Sequence, residues 1–219
     1  MSIVTVAIPA PDRRLCSTAA LKIELGIGDD DTLFDAWLEA EVLSASDLVA
    51  AACGVRGDDD GDVPPTFREE VAIITFSFDE AGAADALFLP WRWPARVTAV
   101  SVGGETLAPS SYRAMGRAGL IERLSAAGCV VPWRRAAAVV TISSGWALDK
   151  VPTELQDAVK RLVRLRWESK DRELAVKAEE TDGTGRTEYW VGGMGAGGSA
   201  LPADVLAALK AGGFADCIR

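Results

Sequence analysis

Two short stretches carry the residue types of a binding site. Asp58, Asp59, Asp60 and Asp62 surround Gly61, the composition of a calcium loop, where acidic oxygens alternate along a turn opened by glycine. With Gly61 at the sixth loop position, Asp58 and Asp60 fall at the third and fifth. The first and twelfth then fall on Arg56 and Phe67, where carboxylates are required, so the run reads as a solvated acidic loop. Gly193, Gly195 and Gly198 match the letter pattern of a dinucleotide-binding turn. That turn needs a strand before it, a helix at its last glycine and a second strand bearing an acid. Here Leu201–Pro202 intervenes, no such strand follows Asp216, and the Lys-Ser/Thr of a phosphate loop is missing, so the stretch reads as a linker. An enzyme binding a nucleotide through Gly193–Gly198 or a metal through Asp58–Asp62 is the alternative reading of the chain.

Nucleophilic and acid–base chemistry have few residues to draw on. Among 219 residues there is no histidine, which removes Ser-His-Asp and Cys-His arrangements and histidine zinc sites. The four cysteines, Cys16, Cys53, Cys129 and Cys217, are far apart with no C-x-x-C pair, and read as reduced thiols of a cytoplasmically made protein. Glu69, Glu70 and Glu122 could supply a carboxylate pair, but nothing in the spacing brings two of them together. The chain is therefore read as a non-enzyme, with no catalytic residue, cofactor or metal.

The elements follow from periodicity. Thr18–Leu25 reads as a short helix stopped by Gly26 and Gly28. Residues 30–53 read as a long one: Leu33, Phe34, Trp37, Leu38, Val42, Ala45, Leu48, Val49 and Ala52 share a face, one of Asp29, Asp30 and Asp31 caps the start, and Gly54 ends it. From Val71 to Ile142 the period changes to short β-branched runs between turns, an antiparallel β subdomain. Pro152 opens a second long helix with Leu155, Ala158, Leu162 and Leu165 on one face and many bases on the others. Residues 179–199 read as a polar, Gly-rich linker, and Ala203–Lys210 as a last short helix. The fold class is α+β: residues 1–62 and 151–178 form a helical core, residues 66–146 an inserted antiparallel β subdomain, and residues 179–219 a linker and C-terminal tail.

Charge is distributed unevenly along this frame. The net charge of −9 resides in residues 1–62, with 13 acids against 4 bases, while the remainder balances. The acidic segment reads either as a solvated surface or as a face that repels polyanions or meets a basic partner. A sequence-reading nucleic-acid protein would show a basic footprint instead. No secretory leader and no membrane span is expected. The basic face of the 152–177 helix is solvated, or meets the acidic segment of the same or a neighbouring chain. Trp91, Arg92 and Trp93 form an aromatic cluster suited to a protein–protein contact or to capping the local core.

Three blocks in this order resemble the tailed-phage head–tail connector family, the adaptor or head-completion proteins also found in phage-derived gene transfer agents. The first is Ser17–Leu25, the turn Gly26–Asp31 with its D-D-D-x-L pattern, and the helix to Gly54. The second is Leu87–Pro90, Val97–Gly104 and Ser111–Tyr112; the third is Val139–Trp146 leading into Val151–Pro152 and Leu155–Val159. The glycine-rich tail departs from the family pattern by its length. The resemblance implies a structural virion protein, made in the bacterial cytoplasm and built into the particle neck. It would form a ring of itself, typically of about twelve copies, joining portal protein to stopper or tail-terminator protein. DNA would pass through without specific binding. The resemblance points to the C-terminal segment, with Leu201, Leu206, Leu209, Phe214 and Ile218, as the portal contact, beside Trp91, Arg92 and Trp93. Asp29, Asp30, Asp31, Asp35 and Glu39 are expected to face the channel.

Overall fold

The computed structural model describes residues 2–78, 82–90, 94–134, 136–170, 178–181, 185–188 and 201–214. The protein is α+β. In chain order its elements are β1 (Ser2–Ile8), α1 (Thr18–Leu25), α2 (Asp35–Ala52), β2 (Glu70–Phe76), β3 (Ala83–Ala84), β4 (Ala86–Phe88), β5 (Ala95–Val102) and β6 (Glu105–Thr106). They continue with β7 (Tyr112–Met115), β8 (Leu120–Leu124), β9 (Val130–Val131), β10 (Trp133–Arg134), β11 (Ala138–Ser144), α3 (Thr153–Ser169), β12 (Ala178–Thr181), β13 (Gly185–Glu188) and α4 (Ala203–Ala211).

Two apolar cores organise these elements. The helical core joins Leu38, Val42, Ala45 and Val49 of α2 to Leu155, Val159, Leu162 and Val163 of α3, with Leu21 of α1 and Leu209 of α4 completing it. The β core lies between a five-stranded sheet, ordered β1-β2-β11-β5-β6, and a smaller sheet ordered β4-β8-β7 with β9 on β8. Its centre is Val4, Ile74, Val100, Val140 and Ile142 from the large sheet, with Leu87, Ile121 and Trp133. In β2 and β11 every second residue is buried, the period-2 signature of an antiparallel sheet with one face on the core. Trp133 satisfies its indole N–H on the carbonyl of Ile121, 3.2 Å away, so the largest buried side chain leaves no polar group stranded.

The structure amends the expected elements in four places. Residues 1–62 do not belong wholly to the helical core: Ser2–Ile8 forms β1, the edge of the large sheet, paired antiparallel with β2. The long helix starts at Asp35 and no aspartate caps it. The Asp31 carboxylate instead accepts from the Leu33 N–H at 3.0 Å, closing a local turn that delays the helix. The helix from Pro152 stops at Ser169. Within the expected linker, β12 and β13 pair as a hairpin. Gly54, by contrast, takes the left-handed conformation at φ 70° that ends α2, where Val55 N–H bonds back to Ala50 at 3.1 Å.

Two of the chain segments that join the two cores run side by side. Trp146 N–H donates to the Phe67 carbonyl at 2.8 Å, and Glu69 N–H donates to that of Trp146 at 3.1 Å. Arg68 reinforces them: its guanidinium donates to the carbonyls of Trp146 at 3.2 Å and Arg14 at 2.6 Å. Gly145 sits at their closest approach with φ +90°, where a Cβ would lie 2.1 Å from the Arg68 carbonyl oxygen. The junction is a hydrogen-bonded ribbon.

Candidate functional site

The acidic segment is the first place to look for a site, and the structure divides its carboxylates into two groups. One group is structural. Asp47 binds Arg13 through two hydrogen bonds of 3.0 and 2.9 Å, Asp12 binds Arg14, and Glu41 of α2 binds Arg166 of α3. Burial pushes the Asp12 carboxyl up, but the side-chain and backbone hydrogen bonds and charge of Arg14 outweigh it and hold the group below its ordinary value. Asp35 pairs with Lys22, whose ammonium also donates to the Asp31 carbonyl at 2.8 Å, and Glu39 lies 3.4 Å from Arg14. The second group is exposed. Asp29, Asp30 and Asp31 stand in solvent on the turn between α1 and α2, and none of the three carboxylates forms an ion pair among the described residues. Of the five acids expected at a channel, three thus stand in solvent without an ion pair among the described residues, Asp31 among them accepting from the Leu33 N–H, and two are tied to bases.

The Asp58–Asp62 loop performs a different task. The Asp59 carboxylate accepts from Val4 N–H at 2.7 Å and the Asp58 carboxylate from Val6 N–H at 2.8 Å, while Asp59 N–H donates to the Val4 carbonyl at 3.0 Å. Arg56 in turn grips Asp59 and reaches the Ser2 carbonyl at 3.1 Å. The loop satisfies the outer edge of β1, which otherwise presents unpaired donors and acceptors to other chains. Asp60 and Asp62 point to solvent.

A cavity of about 370 Å³ opens at the junction, lined among others by Pro9, Asp12, Arg68, Glu70 and Ser143. Two of its polar groups hold the fold. Arg68 spends its donors on two backbone carbonyls, and Asp12 faces Arg14. Glu69 is exposed while Glu70 is buried, as expected for neighbours on opposite faces of a strand. Glu122 lies on the small sheet, paired with Arg113. The structure does not bring the three glutamates together as an acid–base pair.

The expected partner-binding residues fall in three settings. Leu201, Leu209 and Phe214 are buried in the helical core of their own chain, Leu206 is half-exposed, and Ile218 lies outside the described residues. Phe214 stacks edgewise between Phe67 and Trp146, with ring centroids 6.1 and 6.2 Å away. The segment is therefore folded onto this chain, because Leu201, Val205 and Leu209 recur at four-residue intervals and match the α3 groove. Trp91, Arg92 and Trp93, and the Gly193–Gly198 stretch, also lie outside the described residues. Sequence reasoning missed the Arg68 ribbon and the Asp58–Asp59 clamp. Their only signals, a lone arginine and an acidic run, say nothing of partners 52 to 78 residues away.

No family model matches the chain, and no curated protein matches it. Among solved structures, the chain is similar to one from the neck of an empty gene transfer agent (GTA) particle computed with C6 symmetry. The TM-score is 0.53 at 16% identity, over 81% of this chain and 89% of that one. The two share a fold. No helix among the described residues is long and apolar enough to cross a membrane.

Proposed function

We propose that this protein is a structural neck component of a phage or of a phage-derived gene transfer agent, an adaptor whose ring joins the portal to the stopper or tail and continues the DNA channel. The observation that carries the reading is the shared fold with a GTA neck chain over most of both chains, helical core and β subdomain together. Fold alone does not give function, so the site must agree. The described contacts are compatible with that reading: Asp12, Glu41 and Asp47 pair with arginines that hold the fold, and Arg68 at the junction cavity donates to two backbone carbonyls.

In this reading Asp29, Asp30 and Asp31 border the channel, where exposed carboxylates keep passing phosphates from sticking. The half-exposed Leu206 and the outer face of α4 meet the portal, with Ile218 and the Trp91–Arg92–Trp93 cluster as further contacts. The ring holds about twelve copies of the chain on the portal, and the protein resides in the particle after synthesis in the bacterial cytoplasm.

Co-expression with the portal protein encoded nearest to it tests the proposal. Electron microscopy of the purified complex is expected to show a second ring on the portal, and mass spectrometry is expected to find this chain in purified particles. A portal that emerges bare, with no copy of this chain in the particles, overturns it.

A further inference from the structure

The connection between α3 and α4 sets up an exchange between copies. Among the described residues, apolar side chains and one ion pair dock helix α4: Leu201, Val205, Leu209 and Phe214 fill a groove formed by α3 with Phe67 and Trp146, and Arg161 of α3 meets Asp204 of α4 at 3.3 Å. Thirty residues, 171–200, separate Lys170 from Leu201, and only eight of them lie in the strands of the β12–β13 hairpin. An extended chain spans about 3.3 Å per residue, so the nineteen residues outside the hairpin could reach at most on the order of 60 Å. A domain of this length has a radius of gyration of roughly 17 Å. Fully extended, a connection of that length could reach past the edge of the domain.

We propose that α4 is an exchangeable element, and that in an assembly of this chain the groove on α3 accepts the α4 of a second copy. The contacts in the exchanged form are the same contacts, so neither arrangement is favoured by packing. The balance is set by effective concentration. For an isolated chain its own α4 is nearest; where copies stand side by side, a neighbour's is as near. The occupant is fixed by what the groove holds: a helix with apolar anchors four residues apart, an acid opposite Arg161, and an aromatic residue beyond its C-terminus for the Phe67–Trp146 slot. Among the described residues α4 with Phe214 supplies that set. Exchange would place a neighbour's Phe214 at the ribbon joining the two cores, against Phe67 and Trp146. The inference rests on the neck reading only for what brings the copies together.

The test uses two full-length variants, Arg161→Cys and Asp204→Cys, each also carrying Cys129→Ser and Cys217→Ser. Both new thiols replace exposed side chains. Mixed, concentrated and treated with a short bis-maleimide, they are expected to give an interchain product mapped to positions 161 and 204. Its yield should be at least tenfold that of a collision control pairing Arg161→Cys with Glu105→Cys. An interchain yield equal to the control, while the double variant R161C/D204C cross-links within one chain, overturns the exchange. Repeating the mixture on the portal separates the two proposals. Rings without the interchain product overturn exchange and leave the neck reading standing. The product in a protein that never binds portal supports exchange and overturns the neck reading.

Discussion

Gly145 shows how much of the fold can rest on a missing methyl group. A Cβ there would lie 2.1 Å from the Arg68 carbonyl oxygen and 2.7 Å from that of Phe67, on a backbone already at φ +90°. Two of the segments joining the cores would have to part to admit it. Gly145→Ala should therefore cost about 3 kcal/mol or more, read as a lower urea midpoint. Gly104, at φ +88° with open space around it, supplies the contrast: Gly104→Ala meets backbone strain alone and should cost about 1 kcal/mol. Equal midpoints for the two variants would refute the close approach. Cys16 gives the corresponding prediction in pH. Burial pushes its thiol up to about 11, above the value near 9 of an exposed thiol. Between those values the unfolded chain releases a proton that the folded chain retains, so stability falls as pH rises from about 9 to 11. The contribution is roughly 2–3 kcal/mol once both limits are passed. Cys16→Ala should flatten the alkaline arm of the stability profile relative to the parent; an unchanged slope would show that the thiol ionises freely in the fold.

Among the elements, β1 and the loop that covers it carry the most consequence. Val4 and Val6 would present free N–H groups at the sheet edge, and Asp59 and Asp58 accept both. Asp59→Ala removes the acceptor and strands the Arg56 guanidinium, and should cost about 1–2 kcal/mol; Asp58→Ala should cost about 1 kcal/mol. Both should also raise light scattering on heating, since an uncovered edge pairs with other chains. Scattering and midpoints equal to the parent's would show that the clamp is ornamental. The clamp also explains what could be read beforehand. Helix α1, strand β8 and the start of α4 stand where local signals put them, because Ser17 caps α1, Gly26 ends it at φ 70°, Pro202 precedes α4, and the short run Leu120–Leu124 between turns marks β8. Strand β1 was not legible, although Ile3, Val4, Val6 and Ile8 suit a strand, because its partners lie near residue 74 and residue 59. The aspartates of residues 29–31 misled for a related reason: they have cap chemistry, but Asp31 spends its carboxylate on a turn.

At the scale of the whole molecule, the C-terminal segment has two jobs that must be measured separately. Its apolar residues were legible as a docking segment; that the dock is the chain's own α3 groove was not, because the thirty intervening residues hide which surface they reach. Deleting the segment would open the helical core, so lost portal binding in a truncated chain would report unfolding as readily as a lost contact. Two positions on α4 resolve this. Leu209 is fully buried, and Leu209→Ala should cost about 2–4 kcal/mol through lost burial and the cavity left behind. Leu206 is half-exposed at the margin of that buried stripe, so Leu206→Glu should shift stability by less than Leu209→Ala, by about 1 kcal/mol. If that margin meets the portal, Leu206→Glu should nevertheless weaken portal binding at least tenfold, because a carboxylate in a closed apolar contact has no partner. Chemical denaturation and portal pull-down on the two variants give four readings. Stability that falls most for Leu209→Ala, with binding that falls for Leu206→Glu, places structure in the buried stripe of α4 and function at its margin. Binding that survives Leu206→Glu removes the portal from α4 and leaves the helix as a strut of the core.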